Sequence, residues 1–233
     1  MLDLSRRFLL SGAGSLLLTS HALAQGHAEA PGPTPGAALK QLLAGNARFV
    51  AGKSMHPDLG VERRRSLAGG QHPFATILGC ADSRVAPELI FDQGLGDLFV
   101  IRVAGNVVDD MVLASIEYSV IHTGSPLVMV LGHERCGAVT AAVQALAGKD
   151  DEENRDTKIG VLAEAIAPSV KAAPADAPDK VEAAVILNAQ RAAHQVLASR
   201  PLAERVRQGR LAVVSARYDL DDGRVSHIKE AEP

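Results

Sequence analysis

Three short runs of the chain are apolar or small at nearly every position: "FATILGC" at 74–80, "LFVIRVAG" at 98–105 and "PLVMVLGH" at 126–133. Runs of that length without polar alternation suit strands buried on both faces of a sheet. The segments "PELIFDQ", "DDMVLASIEYSVIH" and "GAVTAAVQALAG" follow them in turn, each with helical character. Such alternation predicts an α/β fold, a mostly parallel central sheet flanked by helices. Upstream, "AALKQLLAGNARFVAG" spaces Leu39, Leu42, Leu43, Phe49 and Val50 as a helical arm that stops at Gly52. A second short helix is expected over "VERRRSLA", ending at Gly69-Gly70. Downstream, "IGVLAEAIAPSV" and "VEAAVILNAQRAAHQVLASR" read as helices on either side of the Ala/Pro stretch "KAAPADAP". "LAVVSARYDL" reads as another strand, and "DDGRVSHI" turns the chain into a last short one, a C-terminal strand pair. There is no internal repeat.

The first residues follow a different pattern. In "MLDLSRRFLLSGAGSLLLTSHALAQ" the pair Arg6-Arg7 precedes an apolar stretch from Phe8 to Leu18, which is shorter than a membrane span. Ala22-Leu23-Ala24 has the small-x-small form of a signal-peptidase site, so cleavage is expected between Ala24 and Gln25. The twin arginine resembles the bacterial twin-arginine export signal, which implies a periplasmic protein with no stable membrane anchor after cleavage. Residues 1–24 are therefore read as signal peptide, 25–36 ("QGHAEAPGPTPG") as a Pro/Gly-rich tether and 37–233 as one domain.

Composition adds limits more than direction. The 233 residues are 47% apolar and 22% charged, ordinary globular values that allow one sizeable core. A net charge of -3 and a pI near 6.2 provide no basic field for nucleic acid. The acidic run "DDEENRD" reads as a solvated loop.

Cys80 closes the first strand and His133 closes the third, three residues before Cys136. In an open parallel sheet, ligands collect at the carboxyl ends of the strands, so the topology delivers two thiols and an imidazole to one place. Zinc accepts that donor set, and three protein ligands leave a fourth position for water or substrate. A closed structural site would use four ligands, commonly in short cysteine knuckles, whereas this chain has two cysteines 56 residues apart. In an exported protein the same two cysteines also suit a disulfide, the mark of a thiol redox protein. Histidines 72, 122, 194 and 227 have no such company and read as surface or satisfied residues. Next to Cys80 stand Asp82 and Arg84. A carboxylate there could take the metal itself, but a bidentate Arg84 holds it away and keeps it ionised, a pure acceptor that orients a hydroxide. A plain loop salt bridge is the alternative.

"CADSR" together with "HERCGAV" resembles the β-class carbonic anhydrases, and the likeness extends over most of 37–229. The resemblance implies one Zn2+ per chain held by Cys80, His133 and Cys136, with Asp82 and Arg84 as the catalytic dyad. It implies reversible hydration of carbon dioxide to bicarbonate and a proton by a zinc-bound hydroxide, in a homodimer or dimer of dimers. It also implies a plant-type cleft of Gln71, Phe99 and Tyr118, the two aromatics coming from the partner subunit, with backbone near Gly137 holding the product. Spacing alone makes Phe99 and Tyr118 core residues. The chain has no tryptophan, which the family's bicarbonate-regulated subgroup uses, so no such switch is expected. Hydrolysis of carbon disulfide or carbonyl sulfide, and a non-catalytic zinc or anion-binding module, are the rival functions.

Overall fold

The computed structural model describes residues 32–149 and 157–228. The expected signal peptide, most of the tether and the acidic run lie outside them. Helix α1 spans Pro35–Val50 and starts inside the expected tether, because Thr34 caps it by accepting the Ala37 N–H and proline fits its first turn. Short helix α2 (Val61–Ser66) passes into a single 3-10 turn that ends at Gly69. Strand β1 (Ala75–Gly79), one-turn helix α3 (Pro87–Ile90) and strand β2 (Leu98–Arg102) follow. Helix α4 (Asp110–Tyr118), capped by Asp109, widens into a π turn over Ser119–Thr123. Strand β3 (Leu127–His133) leads to α5 (Gly137–Leu146), α6 (Ile159–Ala172) and α7 (Lys180–Leu197). The sequence pattern did not separate α8 (Arg200–Arg207) from α7; Ser199 and Pro201 break the helix and start the new one. Strands β4 (Ala212–Tyr218) and β5 (Val225–His227) close the fold.

The five strands lie in the order β2-β1-β3-β4-β5, parallel except for β5. From β1 the chain goes to β2 on one side and then crosses back to β3 on the other, so the strand order reverses at β1. Ligand crevices form at that kind of switch point. Alternation along β3 divides its side chains between two layers. Leu127, Met129 and Leu131 pack with Leu42 and Phe91, while Val128 and Val130 pack with Ile116, Val196 and Leu202. A third apolar cluster of Val139, Ile166, Val170 and Val185 surrounds Cys80 and Cys136.

Strand β2 departs from the expectation of double burial. It is the sheet edge, and Leu98 to Ile101 are only half-buried. On the other side, α1 is tied to the end of the chain by Asn46. Its amide donates to the Ile90 and Gly223 carbonyls at 3.2 and 2.8 Å and accepts from Val225 N–H at 2.9 Å. Gly45 lets α1 approach so closely that an added Cβ would lie 1.7 Å from the Phe91 carbonyl oxygen.

Candidate metal centre

Each member of the centre comes from a strand end or a helix start. Cys80 directly follows β1, His133 is the last residue of β3 and Cys136 caps α5. One donor atom from each lies within 4.8 Å of the others, and all three residues are buried. The two sulfurs stand 4.0 Å apart and both cysteines are free, twice the separation of a disulfide. The arrangement does not favour the redox alternative.

His133 supplies the test of fit. Its Nδ1 lies 2.8 Å from the Glu134 carbonyl oxygen, which can only accept, so Nδ1 carries the proton and Nε2 presents a lone pair. Nε2 is buried without a hydrogen-bond partner, one of two such side-chain nitrogens among the described residues. A buried orphan acceptor between two thiols matches a borderline-soft cation such as zinc. Electrostatics point the same way. The Cys136 thiol holds the Cys80 thiol below its ordinary range, with help from His133 and the Gly105 N–H, against the cost of burial. Cys136 is pushed up by the same pairing and by burial, so the pair keeps one proton that a cation would displace.

The dyad is formed as the spacing suggested. Arg84 donates from Nε and Nη2 to the two carboxylate oxygens of Asp82 at 2.9 and 2.7 Å, and its backbone N–H adds a third bond at 2.9 Å. This pairing holds the Asp82 carboxyl well below its usual range. Asp82 Oδ2 lies 3.8 Å from His133 Nε2. No motif pointed to Arg102, at the end of β2, which donates to the Cys80 carbonyl at 3.0 Å and the Asp82 carbonyl at 2.5 Å. It clamps the loop that carries both residues, and the pairing of Gly79 with Arg102 sets it there. The "HERC" loop is anchored from the far end of the chain. Arg135 makes two bonds to Asp221 at 3.0 and 2.7 Å, and Glu134 pairs with Arg217 and accepts the Leu220 N–H at 3.0 Å.

The expected cleft residues are not assembled within one chain. Gln71 is exposed and lines a surface groove of about 550 Å3 with Arg64, Leu67 and Leu95. Phe99 pairs in register with Thr76, four residues before Cys80, so it sits about 13 Å down the sheet from the ligand end. Its ring packs at 6.2 Å from that of Tyr118, which is 52% exposed and therefore not core. The His122 ring, four residues on, packs against Tyr118 at 5.1 Å with the planes tilted by 37°. Space beside Gly137 is open, with nothing within 4 Å of an added Cβ.

Comparison with known proteins agrees with this geometry. The family model described as carbonic anhydrase matches residues 75–225. Carbonic anhydrase 2 of Mycobacterium tuberculosis is 47% identical over 199 residues, 83% of this chain and 93% of that protein. The carbonic anhydrase of Mycolicibacterium smegmatis is 44% identical over 204 residues, 85% of this chain and 97% of the other. Among solved structures, the β-carbonic anhydrase CafA of Aspergillus fumigatus superposes with a TM-score of 0.60 at 28% identity, covering 84% of this chain and 92% of its own. The Coccomyxa β-carbonic anhydrase gives a TM-score of 0.62 at 26% identity, covering 82% of this chain and 86% of its own. The ligand geometry, the parallel sheet and these likenesses lead to one conclusion: the chain belongs to the β-class carbonic anhydrase family.

Proposed function

We propose that this carbonic anhydrase carries out CO2 + H2O ⇌ HCO3⁻ + H⁺ at a single zinc ion held by Cys80, His133 and Cys136. The observation that carries the assignment of the site is the buried, unpartnered His133 Nε2 beside two cysteine sulfurs that are not joined in a disulfide. Zinc, when bound, supplies the Lewis acidity that makes hydroxide available near neutral pH. The chain's own groups do the rest. Asp82, kept ionised by Arg84, can only accept a hydrogen bond. It would accept the proton of a hydroxyl held at the site and so leave that oxygen's lone pair toward carbon dioxide. Arg84 would have a second effect, since a carboxylate engaged at both oxygens is not free to bind a metal held by Cys80, His133 and Cys136.

Gln71, Phe99 and Tyr118 complete the cleft when two chains pair. The half-exposed β2 edge and the exposed Tyr118 beside it support pairing there. A family structure from Sordaria macrospora is described as tetrameric, which supports assembly beyond the monomer in this chain as well. The "SRRFLL" leader and the Ala22-Leu23-Ala24 site support export to the periplasm by the twin-arginine route. Replacing Arg6 and Arg7 by lysine should abolish export, measured by fractionating cells; unchanged export would refute that route.

The central test is zinc per chain together with stopped-flow hydration of carbon dioxide, with carbonyl sulfide and carbon disulfide as competing substrates. Wild type should hold one zinc and hydrate carbon dioxide. Cys136→Ser should lose both, by more than the roughly 10–100-fold typical of a change outside the ligand set. A zinc-free active protein would overturn the reading.

A further inference from the structure

The Cys80 sulfur has a buried hydrogen-bond donor that reaches back to two helices. Gly105 N–H lies 3.3 Å from Cys80 Sγ. Gly105 adopts the left-handed conformation, φ 70° and ψ 15°. Any side chain there would collide, since an added Cβ falls 2.7 Å from Ile166 Cδ1 and 3.2 Å from Ala138 Cβ. The carbonyl of the same residue accepts the Asn188 amide of α7 at 2.8 Å. Because that carbonyl cannot donate, the orientation of the Asn188 amide is fixed: Nδ2 faces Gly105 and Oδ1 faces away. Oδ1 in turn accepts Ser169 Oγ of α6 at 3.3 Å. Ser169 is 2% exposed, Asn188 4% and Cys80 4%, so water does not compete along the chain.

We infer that Asn188 and Ser169 are positioning residues of the metal centre: by holding the Gly105 carbonyl they fix that residue's backbone so that its N–H, in the preceding peptide, donates to the Cys80 thiolate. The inference rests on the zinc reading above. A donor aimed at a thiolate withdraws charge from the sulfur and fixes its direction. In a site with two thiolates, sulfur charge weakens the metal as a Lewis acid, so this donor restores part of that acidity. The other residues act through the backbone of Gly105: they hold the peptide that carries its carbonyl, and the adjoining peptide carries the N–H that faces Cys80.

Cobalt(II) loaded into the apoprotein tests this, because its sulfur-to-metal charge-transfer absorption reads the thiolate directly. Wild type should take up one cobalt per chain. Asn188→Leu should move the absorption to longer wavelength and release metal to a chelator about 10–100-fold faster. Ser169→Ala, which leaves Asn188 in place but untethered, should move both in the same direction by less. A folded Asn188→Leu with wild-type absorption and release rate would overturn the inference, as that outcome marks a role in stability alone. If Asn188→Leu does not fold, Ser169→Ala decides: a shift supports the inference and none overturns it. Failure of the wild type to bind cobalt would instead strike at the metal reading itself.

Discussion

At the scale of single residues, the site turns on which atoms can only accept. Asp82 is bonded at both oxygens by Arg84, and its third partner is the Arg84 backbone. Asp82→Asn keeps the shape but introduces a donor, so the variant should retain zinc and lose about 10–100-fold in turnover. Zinc analysis paired with stopped-flow rates checks it, and undiminished rates would show a purely structural dyad. The meeting of Cys80, His133 and Cys136 and the pairing of Asp82 with Arg84 were legible because five chemically distinctive side chains fall in two short motifs at strand ends. Arg102, Asn188 and Ser169 were not. They act through backbone carbonyls and one peptide N–H, and nothing about an arginine at a strand end or an asparagine in a helix marks such a partner. Tyr118 illustrates the opposite error, since helical spacing assigns it to a core while its surface is half open.

At the scale of elements, the N-terminal arm is held by a charge. Asp92 has its side chain out of solvent, accepts Arg48 Nε at 2.6 Å and takes the Met55 and His56 N–H groups at 3.0 and 2.9 Å. Burial opposes ionisation here, but these donors outweigh it and hold the carboxyl below its usual range. A depressed carboxyl contributes stability above its unfolded pKa of about 3.9, and the contribution fades as pH falls through the lower folded value. Asp92→Asn should therefore cost on the order of 2 kcal/mol at neutral pH. In urea unfolding, the gap from wild type should narrow as pH drops below about 4; a constant gap would assign the loss to packing. Strands were readable as short unbroken apolar runs and the long helices from their periodicity. The π turn after Tyr118 was not, because it depends on buried hydroxyls: Ser119 and Ser125 bond Thr76 of β1 at 2.7 and 2.9 Å, a pairing 43 and 49 residues distant.

At the scale of the whole molecule, one chain gathers Cys80, His133 and Cys136 but leaves Phe99 and Tyr118 far from them. Phe99 and Tyr118 lie beside the β2 edge, where Val100 is also half-buried. An unpaired parallel edge rich in apolar residues invites a second chain. Val100→Lys should give monomers by light scattering that still bind zinc but hydrate carbon dioxide poorly. Dimers with full activity would place the interface elsewhere. The edge position was hidden in the sequence, since "LFVIR" is as apolar as the central strands and only the strand order distinguishes it.

The anchoring of the "HERC" loop sets an order of assembly. Arg135 is held by Asp221 across 86 residues of chain, and Glu134 by Arg217 across 83. These contacts can form only after residues 217 to 221 have been made and have docked beside β3, so the support they give the loop between His133 and Cys136 comes late in folding. A metal taken up by Cys80, His133 and Cys136 in the arrangement described would need those distant contacts in place, so loading would follow the docking of β4 and β5 and would not precede it.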